Sequence, residues 1–246
     1  MDMSLLRQSR TRYLPRAAIL LVVVILLLLA AAPVLGLKPF SVFQGFGLSL
    51  LSCLLVAVIS VFTLLWGLFK RNKAISLNAL LAAAIAAAPV LASVFILGPS
   101  RLGAPPIHDI STDLADPPSF IAARTLRTAR ENTLDYEGNR VADIQRHAYP
   151  DIKPVLSPHP PAAAFAEAVK TAQRLHWRLI DADPAAGRLE ASESTRIFGF
   201  TDDIAVRIRP RGAGSRIDIR SVSRVGVGDF GANAYRVRRF IRAFKH

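Results

Sequence analysis

Charge is missing from most of the first hundred residues. The runs 17–37, 46–69 and 74–97 contain no Asp, Glu, Lys or Arg. Each exceeds the ~20 residues that a helix needs to cross a ~30 Å hydrocarbon core. Charges inside such runs mark ion paths and proton relays, so their absence argues against a pump or channel and for an anchor. A homo-oligomer lining a pore stays open. Cysteine is nearly missing too. Cys53 is the one in the chain and lies in the second run. The remainder therefore folds without disulfides even in an oxidising compartment, and it has no cysteine-based metal site. Gly-x-Ser-x-Gly is absent, which removes the nucleophile elbow. Aromatic residues do not interleave the basic strands, which removes the stacking platforms that nucleic-acid binders use.

The apolar runs set the placement. A secretory h-region is only ~7–15 residues long. The first run is longer and two more follow it, so it reads as a retained helix. Leu50-Leu51-Ser52 before Cys53 loosely imitates a lipoprotein cleavage box, but a whole apolar run lies upstream of it. Arg7, Arg10, Arg12 and Arg16 precede the first run, Lys38 alone lies in the first loop, and Lys70, Arg71 and Lys73 fill the second. The cationic sides face the cytoplasm. Three crossings then place the N-terminus inside and everything after Leu97 outside, which is the periplasm of a Gram-negative cell. Ser49, Ser52, Ser60, Thr63 and Ser93 are expected to return their hydroxyl bonds to the helix backbone. Ala79, Ala83 and Ala87, and Ala84, Ala88 and Ala92, recur every fourth residue, a spacing that permits close helix packing.

Composition changes at Gly98. Residues 99–118 are rich in Pro and Gly and read as an extended tether. Residues 119–246 are long enough for one domain with its own core. A short helix is expected over 120–131 and irregular chain over 150–161. Pro161 suits a first helical position. Phe165, Ala168, Val169, Ala172 and Leu175 then fall on one helical face. Four strands follow, over 177–181, 188–194, 204–208 and 216–220. If Ile208 faces Ile217, Arg207 faces Asp218 on the solvent side. A last helix over 231–244 carries the stripe Val237, Phe240, Ile241 and Phe244, with Arg236, Arg238, Arg239 and Arg242 on its other face. The expected architecture is a membrane-anchored α+β protein, in which three transmembrane helices (1–98) precede a helix–four-strand antiparallel sheet–helix domain. One sheet face is left to solvent or a partner.

Several blocks carry a family resemblance. They are His108-Asp109-Ile110-Ser111-Thr112-Asp113 with Pro117-Pro118-Ser119-Phe120, and Tyr149-Pro150-Asp151-Ile152-Lys153-Pro154. Phe200-Thr201-Asp202-Asp203 follows with Val206-Arg207-Ile208-Arg209. The last is Asp218-Ile219-Arg220-Ser221-Val222-Ser223-Arg224-Val225-Gly226 with Asp229-Phe230-Gly231-Ala232-Asn233. Together they resemble the bacterial domain-of-unknown-function family DUF 1499 over most of residues 105–244. The resemblance implies the extent of the domain and an envelope location, and it carries no activity. Many relatives open the domain with a cysteine-containing segment, which this chain lacks.

Chemical signals are sparse. Gly226-Val227-Gly228-Asp229-Phe230-Gly231 is a literal GxGxxG. Only fifteen residues follow it, no acid lies ~20 positions on to hold a ribose, and Asp229 would repel a pyrophosphate. It reads as a turn with Asp229 capping the last helix, or as an anion nest of Gly226, Gly228 and Gly231 amides helped by Arg224. From residue 195 onward twelve Lys/Arg oppose four acids. Outside the membrane this basicity is either a solvated face or a surface for anionic lipid or envelope polymer. Arg207, Arg209 and Arg224 are its candidate contacts, and no nucleic acid is expected. Asp202 and Asp203, with Asp218 and Arg220, are the weak catalytic candidates for an envelope-acting hydrolase. His108, Asp109, Asp113 and Asp116 have the oxygen donors of a cation site but no recognised spacing, and read as exposed tether. No metal or cofactor is expected. The leading expectation is a multi-pass inner-membrane protein presenting a non-catalytic extracytoplasmic domain to an envelope protein, lipid or polymer.

Overall fold

The structure is a computed structural model, and residues 13–34, 39–195 and 199–245 are described. The chain forms two compact units, Met1–Pro99 and Ser100–His246.

The first unit is helical: α1 (Tyr13–Val34), α2 (Pro39–Phe69) and α3 (Lys73–Leu102), the last interrupted at Gly98. Phe43–Phe69 and Lys73–Phe95 are long and apolar enough to cross a membrane. The first expected span, 17–37, reaches residues 35–37, which lie outside the described residues. Asn72 Oδ1 accepts the Ile75 amide and caps α3. Gly67 allows the hairpin to close, because a Cβ there would sit 2.8 Å from Ser76 Oγ. Ser49, Ser52, Ser60, Thr63 and Ser93 each donate to the carbonyl four residues back, as expected. The buried small residues of α3 are Ala79, Ala82 and Ala86, a mixed three- and four-residue spacing in place of the strict fourfold repeats.

The second unit is built on a six-stranded antiparallel sheet, two strands more than expected. Its strands are β1 (Asp109–Ser111), β2 (Val155–Ser157), β3 (Arg178–Asp183), β4 (Arg188–Ser194), β5 (Thr201–Arg211) and β6 (Gly214–Ser223). The order is β1-β6-β5-β4-β3, with β2 also on β6. Ile208 faces Ile217 and Arg207 faces Asp218, the register read from the alternation. The pair is not on a solvent side, however, because Asp218 is fully buried.

Three helices accompany the sheet: α4 (Asn139–Ala148), α5 (Pro161–Arg174) and α6 (Ala232–Lys245). Apolar side chains of α5 and α6 close on Leu189, Ile204, Val206, Ile208, Ile217 and Ile219. Trp177 stacks on Phe240 at 5.3 Å, and Phe240 on Phe244 at 5.9 Å. Helix α4 was not expected. Its Gln145 accepts from the Ser111 amide and donates to the Ser111 carbonyl, standing in for a further strand beside β1.

Three other expectations change. The stretch 99–118 is not a free tether throughout, since β1 belongs to the sheet and Asp109, Thr112 and Asp113 are buried. In place of a helix over 120–131 there is one 3-10 turn, Ala123–Leu126. The second sheet face is not open. Phe120, Ala123 and Leu134 cover Ala205 and Val222.

Candidate functional site

Adjacent strand residues point to opposite faces, and Asp202 and Asp203 obey that rule. Asp202 faces the helices and accepts from Arg236 Nη2 at 2.6 Å. Arg236 also donates to Glu193 Oε2 (2.6 Å), Asn233 Oδ1 (2.6 Å) and Ser221 Oγ (3.1 Å). Arg236, expected on the face of α6 away from its apolar stripe, is thus a buried polar centre. Desolvation would lower its pKa, but Asp202 and Glu193 outweigh that and raise it. Desolvation likewise opposes ionisation of Glu193, and Arg236 and Arg239 overcome it to hold the carboxyl below its usual range.

Asp203 faces the other way. It accepts from Arg127 Nε at 2.7 Å and from Arg224 Nη2 and Nε at 2.9 and 3.2 Å. Arg127 continues to the carbonyls of Asn132 (2.5 Å) and Val222 (3.0 Å). Along the same face, Glu190 accepts the amides of Ile121, Ala122 and Ala123 at 2.7, 3.2 and 2.8 Å. Those bonds hold the 3-10 turn on the sheet.

Arg220 is buried at the middle of this face. It grips Asp109 with two bonds, 3.0 and 2.7 Å, and donates to the carbonyls of Pro118 and Leu134. The rings of Phe120 and Tyr136 lie 5.3 Å from its guanidinium carbon. Burial pushes the Tyr136 hydroxyl up to about 12, with Asp109 adding to the effect.

Farther along, Asp218 takes Arg207 (3.1 Å), Arg209 (3.0 Å) and Arg216 (2.9 Å). Asp113 binds the same three arginines, at 3.3, 3.3 and 2.6 Å. Asp116 adds a bond from Arg209 at 2.8 Å. Desolvation of Asp116 is overcome by Arg207 and Arg209, so its pKa falls below the ordinary range. Three guanidinium groups balance three carboxylates. Asp109 and Asp113, read as exposed tether, are arginine partners inside the fold.

The four catalytic candidates therefore do not converge. Asp202 lies under the helices, Asp203 at one end of the opposite face, Asp218 at the other and Arg220 between. Each has its charge neutralised by a partner from the chain itself.

The GxGxxG loop is also filled from within. Asp229 Oδ1 accepts the Gly231 amide at 2.8 Å and Oδ2 the Asn233 amide at 2.7 Å. The chain's own carboxylate thus occupies the start of α6, the capping role read from sequence. Burial raises the Asp229 pKa, against the two amide bonds. Arg224, the expected cation of an anion nest, is spent on Asp203. Gly226 and Gly231 have φ of 94° and 74°, which side chains rarely adopt.

A cleft of about 560 Å³ lies open between the exit of β1 and α4. Arg146, Lys153 and Arg216 line it, with Gln145, Tyr149 and the chain at Thr112–Ala115. Arg146 pairs with exposed Asp143, and Arg216 belongs to the network above. The Tyr149 hydroxyl is buried with no hydrogen-bond partner among the described residues, and burial raises its pKa, followed by the charge of Asp229. Arg146 and Lys153 were missed as site residues. Lys153 did have a signal, because it falls in the Tyr149–Pro154 block that carries the resemblance.

The class is an α+β domain, an antiparallel sheet with helices on one face and an ion-paired covering segment on the other, following two helices of membrane length. The chain belongs to the family described as Protein of unknown function (DUF1499), which matches residues 109–244, more than half of its length. The match opens on β1 and closes in α6. No curated protein matches the chain.

Proposed function

We propose that this is a multi-pass inner-membrane protein, with its N-terminus cytoplasmic, presenting a non-catalytic binding domain outside the membrane. The cationic N-terminus and α2–α3 loop support that orientation. One observation carries the non-catalytic reading. The ionisable groups of the sheet are consumed in internal pairs, and the open cleft beside them adds Arg146 and Lys153 to the already paired Arg216 and Asp113 instead of a free acid–base set. Such a lining suits a carboxylate or phosphate of an envelope lipid or polymer.

The alternative, an envelope hydrolase using Asp202, Asp203, Asp218 and Arg220, has less support, because substrate could reach these groups only by displacing buried pairs.

Two experiments test the reading. Reporters fused after Phe69 and after Phe244 should report cytoplasm and periplasm respectively, and the reverse pattern overturns the orientation. The full chain in neutral-lipid nanodiscs should bind vesicles containing phosphatidylglycerol, and Lys153→Ala with Arg146→Ala should weaken that binding at least several-fold. Equal binding by the double variant removes the cleft from the proposal.

A further inference from the structure

The end of α3, the following chain and the loop before α6 form one surface within the second unit. Gly228 packs on Pro106, where a Cβ would come within 3.2 Å of the proline Cα, and Gly231 lies against Ala104. Arg101 sits over the ring of Tyr235 at 5.8 Å. Around these contacts four large side chains face solvent: Leu102 at 49%, Val227 at 77%, Phe230 at 45% and Tyr235 at 48%. Most other large apolar groups of this unit are buried, so this concentration is local.

The loop is stiff. Asn132 Nδ2 donates to the Gly226 carbonyl at 2.9 Å, and His108 Nδ1 lies 3.3 Å from the Val227 carbonyl oxygen. Asp229 fixes the other end. Phe230 has a φ of 52°. A bulky residue in the left-handed region is strained and persists only where its surroundings hold it. Here they hold a phenyl ring at the surface.

Chain length says what covers this surface. The membrane-length part of α3 is described through Phe95, and at most nine residues lead from its end to Ala104. Even fully extended they reach only about 30 Å, and helix through Leu102 shortens that. The loop cannot be far from the place where the chain leaves the bilayer. Apolar side chains beside a tyrosine and an arginine match the chemistry of the headgroup boundary, where aromatic rings and cations accumulate.

We infer that the Gly226–Gly231 loop, with Leu102 and Tyr235, dips into the outer bilayer interface and seats the domain on the membrane. Val227 and Phe230 enter the acyl boundary and Arg101 meets lipid phosphate. The inference rests on the membrane anchoring proposed above, and not on the cleft.

The test uses the full chain with Cys53→Ser, reconstituted in vesicles of phosphatidylcholine and phosphatidylglycerol. Single cysteines replace Val227, Arg211 at the β5–β6 turn, or Val58 in α2, and each carries an environment-sensitive fluorophore. The expected result is blue-shifted emission at position 227, quenched several-fold more by doxyl lipid than at 211, with iodide showing the opposite order. Iodide quenching at 227 equal to that at 211 overturns the seating, provided that position 58 is quenched by doxyl lipid. Protection at 227 from both quenchers also overturns it and assigns the surface to a second copy of the chain. If position 58 escapes doxyl lipid as well, the anchoring has failed and the seating falls with it.

Discussion

The two faces of the sheet are closed by opposite means. Toward α5 and α6 the strands present Leu189, Ile204, Val206, Ile208, Ile217 and Ile219, and helices bring apolar side chains to meet them. On the other face the same strands present Glu190, Asp203, Arg207, Arg209, Arg216, Asp218 and Arg220. An alternation of this kind ordinarily means one wet face. Here an irregular segment lies over it. Irregular chain that is buried has backbone groups to satisfy, and the charged side chains satisfy them. Glu190 takes three amides, and Arg220 and Arg127 donate to carbonyls of the covering segment. Polarity on a strand is thus no guarantee of solvent when a long-range partner of opposite charge exists.

Breaking one member of each face tests the contrast most strongly. Arg220→Ala leaves Asp109 buried and unpaired, which costs about 3–5 kcal/mol. Phe240→Ala leaves a cavity between α6 and Trp177 and costs a similar ~3–5 kcal/mol. Urea unfolding of the full chain in detergent, followed by near-ultraviolet dichroism, should show both losses. A loss under ~1 kcal/mol for Arg220→Ala alone would mean that the second face is cement in appearance only. The double replacement Asp109→Leu with Arg220→Met should recover most of the loss, since it removes both charges at once.

A smaller effect is expected at Glu190. Glu190→Gln keeps an acceptor but removes the charge that strengthens three amide bonds, so about 1–3 kcal/mol is expected. Hydrogen exchange should accelerate at Ile121, Ala122 and Ala123 before it does in β5 or β6. Uniform acceleration would contradict a local role for Glu190.

The pH response sharpens the contrast, because two carboxylates shift in opposite directions. Glu193 is held below its ordinary value by Arg236 and Arg239. Its stabilisation is present above the unfolded value and is lost as pH falls through the folded one. Asp229 is raised by burial. Its contribution is present below the unfolded value and is lost as pH rises through the folded one. Glu193→Gln should therefore flatten the acid limb of the stability curve, whereas Asp229→Asn should flatten a loss that occurs as pH rises above the ordinary carboxylate range. Identical curves for the two variants would be inconsistent with these assignments.

The apolar face was legible and the charged face was not. Strands β4, β5 and β6 alternate cleanly, so Ile208 opposite Ile217 could be read directly. Helices α5 and α6 show their stripes at helical spacing. Strands β1 and β2 have three residues each, too few for a period, and α4 buries only Val141, Ala142 and Gln145. The segment after Phe120 has helix-forming residues, but Glu190 takes the amides of the turn from a strand 67–69 residues away. Several of the pairings that neutralise the arginines are distant too. Asp109 to Arg220 spans 111 residues and Arg127 to Asp203 spans 76. A local count of cations therefore finds a basic face, although several of its counter-charges, such as Asp109, Asp113 and Glu193, lie upstream in the same domain. The blocks that carry the family resemblance contain Asp109, Asp113, Asp203, Asp218, Arg220 and Arg224. In space these are members of the internal network.

The smallest expected effect comes from a pair whose geometry matches the buried ones and whose surroundings do not. Arg238 binds Asp151 through two bonds of 2.6 and 2.7 Å and lies 5.1 Å from the Tyr149 ring centroid. The Asp151 carboxyl sits below its usual range, chiefly through the bond from Arg238. Both side chains reach water, so solvent already stabilises each charge when the pair opens. Arg238→Ala should then cost no more than ~1 kcal/mol, and added salt should shrink the difference from wild type. The same salt should leave the Arg220→Ala loss nearly unchanged, because ions cannot screen a pair they cannot approach. Equal salt sensitivity of the two variants would mean that burial is not what gives the second face its strength.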